Sequence, residues 1–210
     1  MTKKRKSFFP KSVLSKPIYL VNDALAQCIG QFVEYHQQSR IDEQLLVFLG
    51  IGTGLGGGLA YLNGETLILL EDSHIFDFPI QHKKTKAFVN AERIISGSAL
   101  SKMTQQSAEA LLTTDRLFEK FEPQIDFMID HLGLLMNELS SHMRRLFHTE
   151  AKISFLIGGS IGTNPKIAQK IQSKIVFDTH IAKNPDINAH IGNIAFQELL
   201  TPVTINVSNQ

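Results

Sequence analysis

The 210-residue sequence has little of several features that would place it in a specialised class. It contains one cysteine, Cys28, so it can form neither an intrachain disulfide nor a cysteine-rich zinc cluster. Its formal net charge is only +1, which argues against a dedicated nucleic-acid-binding protein. No apolar stretch approaches the roughly 20 residues that span a bilayer. Because hydrophobic residues still make up 43% of the chain, we expect a globular cytoplasmic protein with no membrane or nucleic-acid partner.

The N-terminal segment carries a run of four basic residues at positions 3–6. Such a run is either a nucleic-acid-binding tail or a solvated terminus, and we favour the terminus because chain ends fray. Pro10 and Pro17 interrupt what would be the apolar region of a signal peptide. We therefore expect residues 1–16 to form a poorly ordered basic tail and residues 17–210 to form the folded lobe.

Apolar patterning predicts strands that first form a hairpin and then alternate with helices. Strand-length apolar runs occupy residues 17–21, 45–49, 59–62, 66–70 and 153–157. Asn63-Gly64 is a strong signal for a two-residue hairpin turn. Helices are predicted over residues 23–38, 123–147 and 188–200, and from about residue 164. This order predicts an α/β fold in which helices pack on a mixed sheet.

Two glycine clusters follow predicted strands. In residues 50–58, six of nine residues are glycine, and Thr53 adds a hydroxyl. Glycine lets a phosphate approach backbone N–H groups closely, but the segment fits neither a Walker A loop nor the dinucleotide fingerprint. It is therefore either a phosphate-binding loop or a glycine-rich hairpin turn. Gly158 and Gly159 end another strand before a helix, where either a nucleotide or a simple turn would fit.

Several polar residues could carry chemistry. Asn22 and Asp23 lie between a strand and a helix, so Asp23 is either a helix cap or a general base that a substrate hydroxyl can reach. Two carboxylates and an imidazole at Glu71, Glu92 and His74 could grip the vicinal hydroxyls of a sugar, or they could be ordinary surface residues. A metal site formed by Glu71, His74 and Asp77 is the weaker alternative, since nothing fixes its geometry.

In their order along the chain, these segments resemble the ROK sugar kinases and the related bacterial glucokinases. The turn at 21–24 is similar to the family's Asn-Asp catalytic turn, and residues 52–58 followed by 63–65 look like its second phosphate loop and hairpin. Four further segments are similar to family motifs. They are residues 71–74, with Ser73 where the family has glycine, and residues 90–100, 157–161 and 189–192.

The resemblance implies a ribonuclease H-like, actin/hexokinase-type fold, of which this chain is mainly the C-terminal lobe. It implies ATP- and Mg²⁺-dependent phosphorylation of a hexose, such as glucose to glucose 6-phosphate, by a protein that is a homodimer in the family. Asp23 would be the catalytic base. The residues that would orient the sugar are Asn22, Glu71, His74 and Glu92. Those that would hold the nucleotide phosphates and the adenosine are Gly52, Thr53, Gly54, Gly158 and Gly159.

Two departures from the family pattern qualify these expectations. The Cys-rich zinc motif of ROK proteins is absent from residues 75–91, so we expect no zinc. No Asp-x-Gly-Gly-Thr phosphate loop precedes Asn22. We therefore expect little or no kinase activity from these 210 residues alone, and a complementing N-terminal half is one partner that would restore it. Because the family also includes repressors, the alternative is a non-catalytic sugar-binding or regulatory module.

Overall fold

The computed structural model describes residues 12–13, 16–17, 23–37, 45–63, 66–71 and 78–182. The strands are β1 (Ser12–Val13), β2 (Lys16–Pro17), β3 (Leu45–Ile51), β4 (Leu55–Asn63), β5 (Thr66–Glu71), β6 (Pro79–Gln81), β7 (Phe88–Asn90), β8 (Ile153–Gly158) and β9 (Thr179–Ile181). The helices are α1 (Asp23–Gln37), α2 (Gly97–Thr104), α3 (Ala108–Thr113), α4 (Asp115–Lys120), α5 (Glu122–Phe147), α6 (Gly159–Gly162) and α7 (Pro165–Lys174). A 3₁₀ turn covers Ala91–Arg93. No helix in these ranges is long and apolar enough to cross a membrane.

The main sheet is mixed, as the sequence predicts, with the strand order β5-β4-β3-β8-β9. Strand β4 is antiparallel to both β3 and β5, whereas β8 is parallel to both β3 and β9. Asn63 pairs with Thr66, so two residues separate β4 from β5 and the predicted hairpin is confirmed. Two small antiparallel pairs, β1-β2 and β6-β7, lie outside this sheet.

The central strand β3 is apolar at almost every position because both of its faces are covered. Leu45, Val47 and Leu49 belong to a core with α5. Leu46 and Phe48 point to the other face and pack with α1. Burial on both faces explains why this strand reads as a continuous apolar run rather than an alternating one. The predicted long helix is confirmed as α5, which has ten buried residues, eight of them in the hydrophobic core.

Helix α1 lies close to β4, and the glycines of β4 permit this approach. A Cβ at Gly58 would come within 3.1 Å of the Leu25 Cα and 3.2 Å of the Cys28 Cβ. Cys28 itself is fully buried, and burial raises the pKa of its thiol to about 12. It therefore packs as a small apolar residue. Part of the glycine-rich segment thus serves helix packing rather than ligand binding.

The remaining elements agree only in part with the predicted set. The helix expected near residue 164 is confirmed as α7, whose first turn is capped by the Asn164 side chain. The β6-β7 hairpin and the single-turn α6 were not predicted. Of the strand predicted at residues 17–21, only Pro17 lies within the described ranges, and the helix predicted at 188–200 lies outside them.

His131 of α5 anchors the turn of the β6-β7 hairpin. Its buried ring places Nδ1 2.7 Å from the Phe127 carbonyl oxygen, and its Nε2 accepts the Lys83 N–H at 3.0 Å. This pairing requires a neutral imidazole with its proton on Nδ1. Burial lowers the pKa of His131. The Phe127 bond and the Asp130 charge act in the opposite sense, and the His82 and Lys83 charges lower the pKa further.

We expect the free energy of unfolding to fall between pH 7.5 and 5.5 because of His131. In the unfolded chain the imidazole takes up a proton near pH 6.5, whereas the folded state binds it only at lower pH. The contribution of neutral His131 to stability is therefore complete above the pKa of the unfolded chain and is lost as the pH falls below it. The carboxyls with lowered pKa, such as Asp178, titrate below this window. Urea unfolding at the two pH values measures how much of the free energy of unfolding is lost. The loss should be smaller for His131→Gln than for His142→Gln, which changes an exposed histidine of α5 and serves as the control. An equal loss in both would contradict the assignment.

Candidate functional site

The parallel strands β3 and β8 end at the same edge of the sheet, where Gly50 pairs with Gly158. Ligands in sheets of this kind bind outside the carboxyl ends of the strands. A cavity of about 290 Å³ lies at this edge, and we call it the Asp23 cavity. Its lining residues are Asp23, Ala24, Gln27, Phe48, Gly50, Gly52, Gly54, Leu55, Gly56 and Gly159.

Asp23 is the first residue of α1 and is exposed. Its Oδ1 accepts the Ala24 N–H at 2.9 Å, so the carboxylate interacts with the start of the helix. A carboxylate has about four lone-pair sites, and this bond leaves capacity for a substrate hydroxyl. The two roles that the sequence suggested for Asp23, helix cap and general base, are therefore compatible.

Backbone bonds to α2 fix the orientation of the glycine-rich loop at residues 52–54. The Gly97 N–H donates to the Gly52 carbonyl at 2.8 Å, and the Ser98 N–H donates to the Thr53 carbonyl at 3.0 Å. Since a trans peptide is planar, the N–H groups of Thr53 and Gly54 point away from α2, opposite to these carbonyls. The Gly52 N–H instead donates to the Gly54 carbonyl at 2.9 Å. Thr53 and Gly54 are thus better oriented than Gly52 to donate to a bound anion.

Glu92 supports the same loop from another side. It lies in the 3₁₀ turn after β7, and its Oε1 accepts the Leu55 N–H at 3.3 Å. A Cβ at Gly54 would lie 2.5 Å from this oxygen, so only glycine lets the carboxylate come this close. Gly54 and Leu55 line the Asp23 cavity, whereas Glu92 itself is not among the lining residues of either cavity described here.

A larger cavity of about 590 Å³ includes Thr53 of the glycine-rich loop, and we call it the Thr53 cavity. Its lining residues are Thr53, Gly97, Ser98, Ser101, Ala108, Glu109, Leu112, Thr113, Ser160, Ile161 and Asn164. The loop therefore contributes Gly52 and Gly54 to one cavity and Thr53 to the other. Beyond Thr53, the polar residues of this cavity were not among the predicted site residues. Of these polar residues, Ser160 is the one that the sequence could have indicated, because it directly follows Gly158-Gly159.

No protein-family model and no curated protein matches this sequence. Solved structures do match. The ROK hexokinase from Thermus thermophilus is 18% identical with a TM-score of 0.62, and the match covers 89% of this chain and 67% of the hexokinase. The ROK family glucokinase from Streptomyces griseus, solved with glucose and AMPPNP, is 16% identical with a TM-score of 0.58, and the match covers 87% and 69%. This chain has the fold of the ROK sugar kinases.

The ROK fold is not confined to enzymes. A ROK family transcriptional regulator, a homologue of the E. coli MLC protein, is 19% identical with a TM-score of 0.54, and the match covers 90% of this chain and 55% of the regulator. The chain spans about two thirds of the length of the two kinases and less of the regulator. At these identities the matches confirm the predicted fold and leave the activity to be argued from the site.

Within the ROK fold, several predicted site residues meet. Those that line the Asp23 cavity together are Asp23, Gly52, Gly54 and Gly159. Gly158 lines neither cavity, because it packs against the Phe48 ring, where a Cβ would lie 2.5 Å from two ring carbons. The backbone of Glu71 ends β5 opposite Gly58. Other predicted groups lie outside the described residues, namely the Glu71 side chain, Asn22, His74 and Asp77.

The described residues contain no group of three or more His, Cys, Asp or Glu side chains that could hold a metal ion. Among the described residues that line the Asp23 cavity, Asp23 carries the single carboxylate. Magnesium commonly binds through one or two carboxylates together with substrate phosphates, without a cage made by the protein alone.

Proposed function

We propose that this chain carries the sugar-binding and phosphate-binding side of an ATP-dependent hexose kinase of the glucokinase type. The observation that carries the proposal is the Asp23 cavity, which places a carboxylate beside the glycine-rich loop at the carboxyl ends of β3 and β8. Phosphoryl transfer needs little covalent chemistry from the protein and depends on positioning and charge stabilisation. A base meets that need together with the glycine-rich loop, whose Gly54 lines the same cavity and whose Thr53 lines the Thr53 cavity.

In this mechanism Asp23 accepts the proton of the sugar's primary hydroxyl as that oxygen attacks a phosphoryl group. The Thr53 and Gly54 N–H groups and the Thr53 hydroxyl hold phosphate oxygens. Glu92 orients the sugar ring while its Oε1 keeps the loop in place. The sequence resemblance assigns further sugar contacts to Asn22, Glu71 and His74. Bound MgATP would supply the transferable phosphoryl group, with its nucleoside in the Thr53 cavity.

The chain alone is expected to bind glucose weakly, to bind MgATP more weakly still, and to turn over little or not at all. The reason is that the resemblance calls for two facing phosphate loops, and these 210 residues contain no Asp-x-Gly-Gly-Thr segment. Calorimetric titration with glucose and with MgATP, followed by a coupled assay with and without an added N-terminal lobe, tests this. Robust turnover by the chain alone would contradict the need for a second loop. Failure to bind any hexose would contradict the sugar site.

The second candidate is a non-catalytic sugar-binding module, which the match to a ROK regulator favours. Both candidates predict that the chain binds a hexose. They differ in the effect of the added N-terminal lobe, because a regulator would bind sugar but would show no turnover with or without that lobe. The same coupled assay therefore separates them.

A further inference from the structure

Among the described residues that line the Thr53 cavity, Glu109 carries the single charged side chain. The other polar groups of the lining are uncharged hydroxyls and one amide, at Thr53, Ser98, Ser101, Thr113, Ser160 and Asn164. Apolar surface comes from Ala108, Leu112 and Ile161. With this one carboxylate among neutral described residues, a charged ligand is expected to bind in one preferred orientation.

An anionic ligand would place its phosphates away from Glu109, because like charges at close range repel. Its phosphates would instead lie toward Thr53, where the loop N–H groups turn away from α2. The part of the ligand that faces Glu109 must then be uncharged and must offer donors, because an ionised carboxylate can only accept hydrogen bonds.

On the basis of the proposed kinase function, we propose that Glu109 reads the ribose 2′,3′-diol of the phosphoryl donor. Two adjacent hydroxyl donors match the two oxygens of one carboxylate, and Leu112 and Ile161 offer apolar surface for a base. Glu109 is exposed in the first turn of the short helix α3, so its side chain is accessible to a ligand. The donor is therefore a ribonucleoside triphosphate, in preference to a deoxyribonucleotide or an inorganic polyphosphate.

Calorimetric titration of the full chain with MgATP, magnesium 2′-deoxy-ATP and magnesium tripolyphosphate tests the proposal. Hydrogen bonds to a charged group commonly contribute about 1.5–3 kcal/mol, and partial exposure favours the low end. We therefore expect ATP to bind about tenfold more tightly than 2′-deoxy-ATP. In Glu109→Ala, which removes both acceptor oxygens, the two nucleotides should bind within about twofold of each other, with ATP weakened and tripolyphosphate not weakened. Glu119→Ala, a change at an exposed acid of α4 that lines neither cavity, should keep the wild-type preference.

The outcomes separate the role of Glu109 from the proposed kinase function. If ATP binds but the wild type shows no preference over 2′-deoxy-ATP, or if Glu109→Ala keeps the preference, Glu109 does not recognise the ribose and the kinase proposal stands. If ATP does not bind the wild-type chain at all, the nucleotide part of the proposed function is wrong, and the role of Glu109 with it. Equal urea midpoints for the variants and the wild type would show that all of them are folded.

Discussion

Replacing Asp23 with asparagine should lower kcat at least about a hundredfold while the affinity for the hexose changes little. General acid–base catalysis commonly contributes about 10²–10⁴-fold, and the neutral amide cannot accept the proton of the sugar hydroxyl. The amide oxygen can still accept the Ala24 N–H, so the interaction with the start of α1 is kept. The measurement is steady-state kinetics of the chain with an added N-terminal lobe, together with calorimetric titration of glucose.

The choice of asparagine separates the two roles that the structure gives this carboxylate. A residue that only capped the helix would lose little activity in Asp23→Asn, whereas a base would lose most of it. Asp115→Asn is the matched control, since Asp115 is also the first residue of a helix but does not line the Asp23 cavity. Near-normal turnover by Asp23→Asn would show that Asp23 is not the base, even if the control behaved as expected.

The sequence predicted those elements in which the spacing of nearby apolar residues shows which positions are buried. Strand β3 is covered on both faces and reads as an unbroken apolar run, and α5 repeats its buried residues at helical spacing. The β6-β7 hairpin has no such signal, because in β6 only Ile80 is buried between two exposed residues. Its turn is held by the ring of His131, 48 residues away in sequence from Lys83. No local pattern contains that contact.

The same distinction applies to the candidate site. Asp23 and the glycine-rich loop stand out in the sequence, because one is a carboxylate at the start of a predicted helix and the other has six glycines in nine residues. The Thr53 cavity could not be predicted, because its walls come from α2, α3 and the turn after β8, each with common polar residues such as Ser101. Nor could the bond from Leu55 to Glu92, which joins residues 37 positions apart. The glycines of β4 gave a mixed signal, since Gly58 serves the packing of α1.

Gly159 is the position where the structure depends most directly on the absence of a side chain, and Gly159→Ala should destabilise the protein by about 2–5 kcal/mol. Its φ is +79°, a conformation that costs a residue with a Cβ roughly 1–2 kcal/mol. A Cβ there would also lie 2.7 Å or less from the backbone N, C and O of Ile51, and overpacking of this kind costs about 1–3 kcal/mol. Because these are backbone atoms at the end of the central strand, the clash cannot be relieved by rotating a side chain.

Gly133→Ala is the matched control, with the opposite sign expected. Gly133 lies within α5, and nothing stands within 4 Å of the Cβ it would gain. Alanine is favoured over glycine inside a helix by about 1 kcal/mol, so this variant should be slightly more stable than the wild type. Urea denaturation of both variants measures the difference. Because Gly159 also lines the Asp23 cavity, weakened glucose binding should accompany its loss of stability, whereas Gly133→Ala should bind glucose normally. A Gly159→Ala protein as stable as Gly133→Ala would mean that Gly159 has no need of positive φ and that Ile51 tolerates a nearby methyl group.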